Sequence, residues 1–391
     1  MAGHPATISS GSVEANSSFI NNYHFLFAMR RAGKMAATDI VHQPTGGSLV
    51  KALLLRAPNE FDVIERSTPR ASKDTALLRI HRTGICATDI ATIRGQSRMA
   101  VFPMTPGHEF VARIEEIGAD ADYKVGDWVT IYPTQGCGRC AACHRGVPNH
   151  CPEFRVWGVH RDGGAFAELM AVPIDHLLPI PERLRCDAGA LIEPTAVAVH
   201  ALRRARLQPG QRVAIIGAGA IGLLIAQAAR AAGAAQVVAV DRLPARKAVA
   251  DALMLDGFIL AGDGNLAEEL SDFADEPFDI VFDNVCAPST LAAGAAALRI
   301  DGALVLLAFP HGDEEPPIPY AAAYRKELSL ILSRNYARED FIESTRLLEV
   351  GAIAPEVMIT GHFALSDFAN AYDELRDTPE RHLKVLIDPQ R

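Results

Sequence analysis

The chain has 391 residues, enough for two domains with complete cores, and its 49% hydrophobic and 22% charged content is that of an ordinary globular enzyme. A formal net charge of −9, with no basic run carrying interleaved aromatics, argues against nonspecific affinity for nucleic acid or an acidic membrane surface. The most apolar run, Val213 to Ala229, is broken by Gly217, Gly219 and Gly222, so no stretch reads as a membrane span.

Residues 1 to 49 are rich in Ser, Asn and Ala, without sustained periodicity, and read as a disordered extension. A sharper expectation is a gene-start artefact, with Val50 as a valine-read start ahead of the strand-like run Val50 to Leu55. From 50 to about 194 the chain reads as β-rich, with short apolar runs such as Ala76 to Ile80 and Trp128 to Tyr132 between Gly and Pro punctuation. From about 195 to 335 it alternates strand and helix. Strands are predicted at Val213 to Ile216, Val237 to Val240, Ile280 to Phe282 and Ala303 to Leu307, with Ala-rich helices between them. That is the pattern of a doubly wound parallel sheet, an α/β fold. A helix from Glu339 to Val350 and a strand from Leu383 to Ile387 close the chain.

Four of the seven cysteines fall together. Cys137, Cys140, Cys143 and Cys151, spaced x2, x2 and x7, can close a tetrahedron around zinc and leave no open position, as in a structural site. Two disulfides or free thiols are the alternative. Clustered cysteines in a long chain favour metal and a reducing cytoplasm.

Gly217-Ala218-Gly219-Ala220-Ile221-Gly222 follows a β-like run and opens a helical one, Leu223 to Ala232. In that context it reads as a dinucleotide turn, with Gly217, Gly219, Ala220, Ile221 and Gly222 at the pyrophosphate. Asp241 ends the next strand, where an acid binds the adenosine ribose and repels a 2′-phosphate, so NAD is favoured. Arg242 beside it weakens that preference, and a plain strand-end turn is the other reading of Asp241.

A catalytic zinc needs about three protein ligands and one open position. Cys86 in Gly84-Ile85-Cys86-Ala87-Thr88-Asp89, His108 in Gly107-His108-Glu109, and a carboxylate from Glu109 or Glu193 would supply the set. Each has a plainer reading: a buried thiol, a core histidine, a helix-start acid.

These motifs occur in order, together with Asp162-Gly163-Gly164-Ala165-Phe166-Ala167-Glu168 and Glu193-Pro194. The chain resembles the zinc-containing medium-chain dehydrogenases, of the sorbitol and threonine dehydrogenase kind, over nearly all of Val50 to Ile387. The resemblance implies a GroES-like catalytic domain, residues 50–194 and 336–391, interrupted by a Rossmann domain, 195–335. It implies one catalytic and one structural zinc, NAD, and a small alcohol or ketone substrate in a homodimer or homotetramer. By it Cys86 and His108 are zinc ligands, Thr88 relays the proton, and Asp89 partners the histidine. Glu109 ranks slightly ahead of Glu193 as the resting ligand. Many relatives carry a histidine five residues after the zinc cysteine; here that position is Ala91, so the proton must leave by water or another base. The stretch Val156 to Gly164 and Ser333-Arg334-Asn335 are also similar to bacterial dehydrogenases of sugar acids such as L-galactonate and L-gulonate. Arg161 or Arg334 could then grip a substrate carboxylate, or be a loop arginine. Polyols, inositol-type rings and threonine stay open as substrates. A zinc-stabilised nucleotide-binding module without catalysis is the reading from another class.

Overall fold

The computed structural model describes residues 48–97, 99–118, 122–262, 264–308 and 316–391. The expectations for residues 1–49 lie almost wholly outside them. Among the described residues no helix is long and apolar enough to cross a membrane.

A six-stranded sheet is parallel throughout. Its strands lie in the order Gly257–Leu260, Gln236–Asp241, Arg212–Ile216, Phe278–Asp283, Leu298–Leu306, Ser329–Leu332. In chain order that is 3-2-1-4-5-6, the doubly wound Rossmann arrangement. The alternation of side chains explains why both faces are covered. Val213 and Ile215 enter one core, whereas Ala214 and Ile216 enter the other. Burying each of the larger side chains contributes roughly 1.5–3 kcal/mol. The ligand crevice of such a sheet opens where the order reverses, here between Arg212–Ile216 and Phe278–Asp283.

The second sheet is mixed and mainly antiparallel. Thr75–Gly84 pairs with Glu109–Ile117 on one side and with Lys384–Asp388 and Leu169–Pro173 on the other. The C-terminal strand therefore completes a sheet begun three hundred residues earlier in the chain, and the Rossmann unit is inserted between its parts. Helix Ile192–Ala205 bridges the two: its buried face joins Val111 and Tyr132 to Val213, Ile215 and Phe341 in one cluster.

Helix Arg338–Glu349 docks on that bridging helix through a buried polar anchor. Asp340 accepts from the Ala337 N–H at 2.6 Å, sits 2.8 Å from His200 Nδ1, and meets Arg203 at 2.9 Å. An acid so placed caps its own helix and neutralises the end of its neighbour. The result fixes Tyr336, just ahead of the helix, against Glu193 in the first turn of Ile192–Ala205.

Predicted and observed elements differ at their ends. The dinucleotide helix runs Ala220–Ala231 rather than from Leu223, because two of the turn's alanine and isoleucine positions already have helical geometry. The strand expected at Ala303 to Leu307 is the second half of Leu298–Leu306, whose first half is masked in the sequence by Asp301 and Gly302.

Candidate active site

Strand Thr75–Gly84 delivers the chain to Cys86, the N-cap of helix Ala87–Ile93. The Cys86 thiol accepts from Thr88 N–H at 3.4 Å, and Asp89 Oδ2 accepts from Cys86 N–H at 2.9 Å. This reciprocal cap holds the sulfur at the helix mouth. Thr88 is exposed there. On the adjacent strand His108 and Glu109 are buried, with Glu109 opposite Gly84. A side chain at Gly84 would collide with the Glu109 carboxylate.

Ligand atoms of Cys86, His108 and Glu109 all lie within 4.8 Å of one another. His108 Nδ1 is 3.6 Å from Asp89 Oδ1 and has no hydrogen-bond partner. Burial opposes a charge on His108, but Asp89 and Cys86 outweigh it and raise its pKa well above the ordinary value. Glu109 is not free: Lys384, itself buried, donates to both of its oxygens at 2.6 and 2.8 Å. Glu193 is buried beside this group but outside its 4.8 Å radius. Burial pushes its carboxyl up to about 7, with Glu109 adding to the shift and His108 opposing it. Tyr336 closes the far side, its hydroxyl held protonated by burial and by Glu193. The centre thus sets half-buried Cys86 and buried Asp89, Glu109 and Glu193 against buried Lys384 and His108. Such an acid-rich donor set fits a divalent cation.

In the lobe, Cys137, Cys140, Cys143 and Cys151 bring four sulfurs within 4.8 Å, and all seven cysteines of the chain are free. Cys140 and Cys143 Sγ stand 3.6 Å apart. A disulfide would need about 2.05 Å, whereas a tetrahedron with Zn–S near 2.3 Å has an edge of about 3.8 Å. The N–H groups of Cys137 and Glu153 each donate to Cys151 Sγ at 3.3 Å, the bonds a thiolate takes. The donor set fits a structural zinc.

The glycine turn sits at the switch point. Gly217 has φ 91°, and its N–H bonds Val240 O at 2.9 Å. A Cβ on Gly222 would strike the Gly217 carbonyl, so helix and strand can approach only without one. Gly219 caps helix Ala220–Ala231 with no side-chain bond and faces open space. Ala220 and Ile221 therefore offer unpaired N–H groups at the positive end of a helix, a cradle for a pyrophosphate. Asp241 ends strand Gln236–Asp241, half-buried, and accepts from Leu243 N–H at 2.9 Å; Arg242 is exposed.

The two arginines weighed for a substrate carboxylate differ. Arg161 donates to Gln135 and lies 4.3 Å from the Trp157 ring centroid. Arg334 donates to Asn149 O, with its guanidinium 4.4 Å from the Phe154 ring centroid. Two residues of the site were not singled out from sequence: Lys384 and Tyr336. The visible signal was a lysine heading the apolar run Val385 to Ile387, at Lys384.

Comparison with known proteins agrees with this geometry. The family profile described as alcohol dehydrogenase GroES-like domain matches residues 72–182, and that described as zinc-binding dehydrogenase matches 220–349. The chain is 34% identical to the L-galactonate-5-dehydrogenase of Escherichia coli (strain K12) over 328 residues, 83% of this chain and 95% of that protein. An alcohol dehydrogenase (rspB) of E. coli CFT073, solved with NADH, superposes with TM-score 0.82 at 29% identity, covering 88% of this chain and 100% of that one. A zinc-binding dehydrogenase of Sinorhizobium meliloti 1021, bound to NADP, also gives TM-score 0.82, at 28% identity with 88% and 100% covered. The chain belongs to the zinc-binding alcohol dehydrogenases, nicotinamide-linked oxidoreductases built from a GroES-like and a Rossmann domain.

Proposed function

We propose that the enzyme oxidises a secondary hydroxyl of a sugar acid with NAD. Cys86, His108 and Glu109 would hold the catalytic ion, with Glu193 beside them. A bound zinc supplies the Lewis acidity that brings an alcohol pKa toward neutrality. The observation that carries the reading is the three-residue donor cluster of half-buried Cys86 with buried His108 and Glu109, facing an acid-rich interior.

The chain's own groups then divide the work. Asp89 lies 3.6 Å from His108 Nδ1, where its charge favours a proton on that nitrogen and leaves Nε2 for the ion. The exposed Thr88 hydroxyl takes the proton of the substrate hydroxyl and passes it to water, since Ala91 offers no base. The Gly217 turn and the Ala220 and Ile221 N–H groups would hold the dinucleotide's pyrophosphate, and the bound nicotinamide would supply the acceptor for the carbinol hydride. Asp241 disfavours a 2′-phosphate and supports NAD over NADP.

Two things support a substrate with a carboxylate. Among the described residues Arg155, Arg161 and Arg334 form no ion pair, though all three border the loop that carries Trp157 and His160. The relative named above acts, by its name, on a hexonate. Arg161 and Arg334 each lie over an aromatic ring, Trp157 and Phe154, and of the two it is Arg334 whose charge acts on His160. We read the protein as a cytoplasmic homodimer or homotetramer. The open edge strand Ser329–Leu332 carries exposed Leu332, and Ile300, Tyr320 and Tyr324 are exposed on neighbouring segments. A second copy would cover such an edge.

The test is nicotinamide reduction by the zinc-loaded chain with NAD or NADP on L-galactonate, L-gulonate, sorbitol, inositol and threonine. NAD-linked turnover of a hexonate supports the reading. Turnover of neutral polyols alone removes the clamp and leaves a polyol dehydrogenase.

A further inference from the structure

His160 lies in the loop that packs on the zinc-ligand segment, where Gly107 N–H bonds Gly158 O at 3.2 Å. Its Nδ1 receives the backbone N–H of Val156 at 3.2 Å. A backbone N–H only donates, so Nδ1 carries the lone pair and the single ring proton sits on Nε2. The ring is steered from a second side by Phe154, edge to face at 5.3 Å and 84°. Protonating Nδ1 would set two donors against each other. Burial, then Arg155, His108 and Arg334, push the ring's pKa down to about 4, which keeps it neutral at working pH. The Gly107–Gly158 bond sets this loop against the residue next to His108. Among the described residues no hydrogen-bond partner reaches Nε2.

A neutral imidazole with a fixed tautomer and a free N–H is a poor base and a good recognition group. Its surroundings select the partner. Arg155 and Arg334 act on the ring and form no ion pair among the described residues, so the oxygen that settles there is an anionic one. We propose that His160 is a specificity residue whose Nε2–H donates to one carboxylate oxygen of the substrate while Arg334 takes the other. This rests on the sugar-acid reading and adds the residue that reads the acid. Because the imidazole brings no second positive charge, the pair matches a carboxylate monoanion better than a phosphate dianion.

The experiment compares His160→Phe, His160→Asn and His160→Gln in the zinc-loaded enzyme. Phenylalanine keeps the ring against Phe154 without a donor, the asparagine amide reaches only as far as Nδ1, and the glutamine amide reaches the place of Nε2. NADH binding and zinc content verify each fold. Expected is a rise of about ten- to a hundredfold in KM for L-galactonate in the Phe and Asn variants, the range for a hydrogen bond to a charged group. Activity on sorbitol stays within about threefold, and the Gln variant recovers most of the loss. If the Phe variant fails to fold, the Asn and Gln pair decides. An unchanged hexonate KM in both the Phe and the Asn variant, in an enzyme still dependent on Arg334, overturns the role of His160 and spares the sugar-acid reading. A wild-type enzyme that does not oxidise hexonates overturns both.

Discussion

Replacing Lys384 by methionine removes the cation that Glu109 holds at 2.6 and 2.8 Å while leaving a side chain of similar length. Both partners are buried, so the carboxylate is left charged in a dry interior. Breaking a buried pair on one side costs about 3–5 kcal/mol. In the metal-free protein that penalty should appear as a lower denaturation midpoint. If Glu109 is at the catalytic ion, zinc can replace the lost charge, with only a proton competing for the carboxylate. The variant then binds catalytic zinc more tightly than wild type. Recovery of even 1.4 kcal/mol of the penalty is a tenfold gain in affinity. Removal of the ammonium also lifts its repulsion of the ion, which acts in the same direction. Chelator competition, read as zinc retained per chain, measures this directly, because the four-cysteine lobe is common to both proteins and cancels. Equal zinc affinity in the variant and wild type would refute the reasoning and transfer the third ligand to Glu193.

Cys86→Ser and His108→Ala should each lower turnover by more than about a thousandfold, cost one zinc per chain, and leave NADH fluorescence on binding intact. Gly222→Ala forces a Cβ onto the Gly217 carbonyl, so KM for NAD should rise about tenfold or more while both zincs stay bound. Asp241→Asn withdraws the charge that repels a 2′-phosphate, and the NADP to NAD ratio of kcat/KM should rise by about tenfold. Folding lowers the His160 pKa from 6.5 to about 4, by burial and by Arg155. Above pH 6.5 both folded and unfolded chains hold that ring neutral. Between 6.5 and 4 only the unfolded chain takes the proton, so stability is lost as pH falls through that window. His160→Asn should flatten that part of the stability profile; parallel profiles would count against the shift.

What could be read in sequence was local. The four cysteines lie within one short loop, and the glycine turn joins a strand to its own helix, so spacing alone carries the geometry. Cys86 and Asp89 share one turn of helix, which is why the motif around them is compact. The partners of the site were not legible because folding, not spacing, supplies them. Lys384 reaches Glu109 from 275 residues away, across two strands that pair only in the closed sheet. Tyr336 meets Glu193 because a buried aspartate docks one helix on another. The tautomer of His160 depends on a single backbone N–H four residues earlier.

The difference has a consequence for the metal. Motifs mark acids and thiols, because these are the ligands, and so the sequence suggests a centre whose negative charge is balanced by zinc alone. The fold adds a buried lysine to the same carboxylate. Glu109 therefore has two claimants, the ammonium and the ion, and Glu193 has none but Tyr336 and its own proton. Ranking Glu109 over Glu193 as the resting ligand thus becomes a question of one charge, that of Lys384, rather than of motif order.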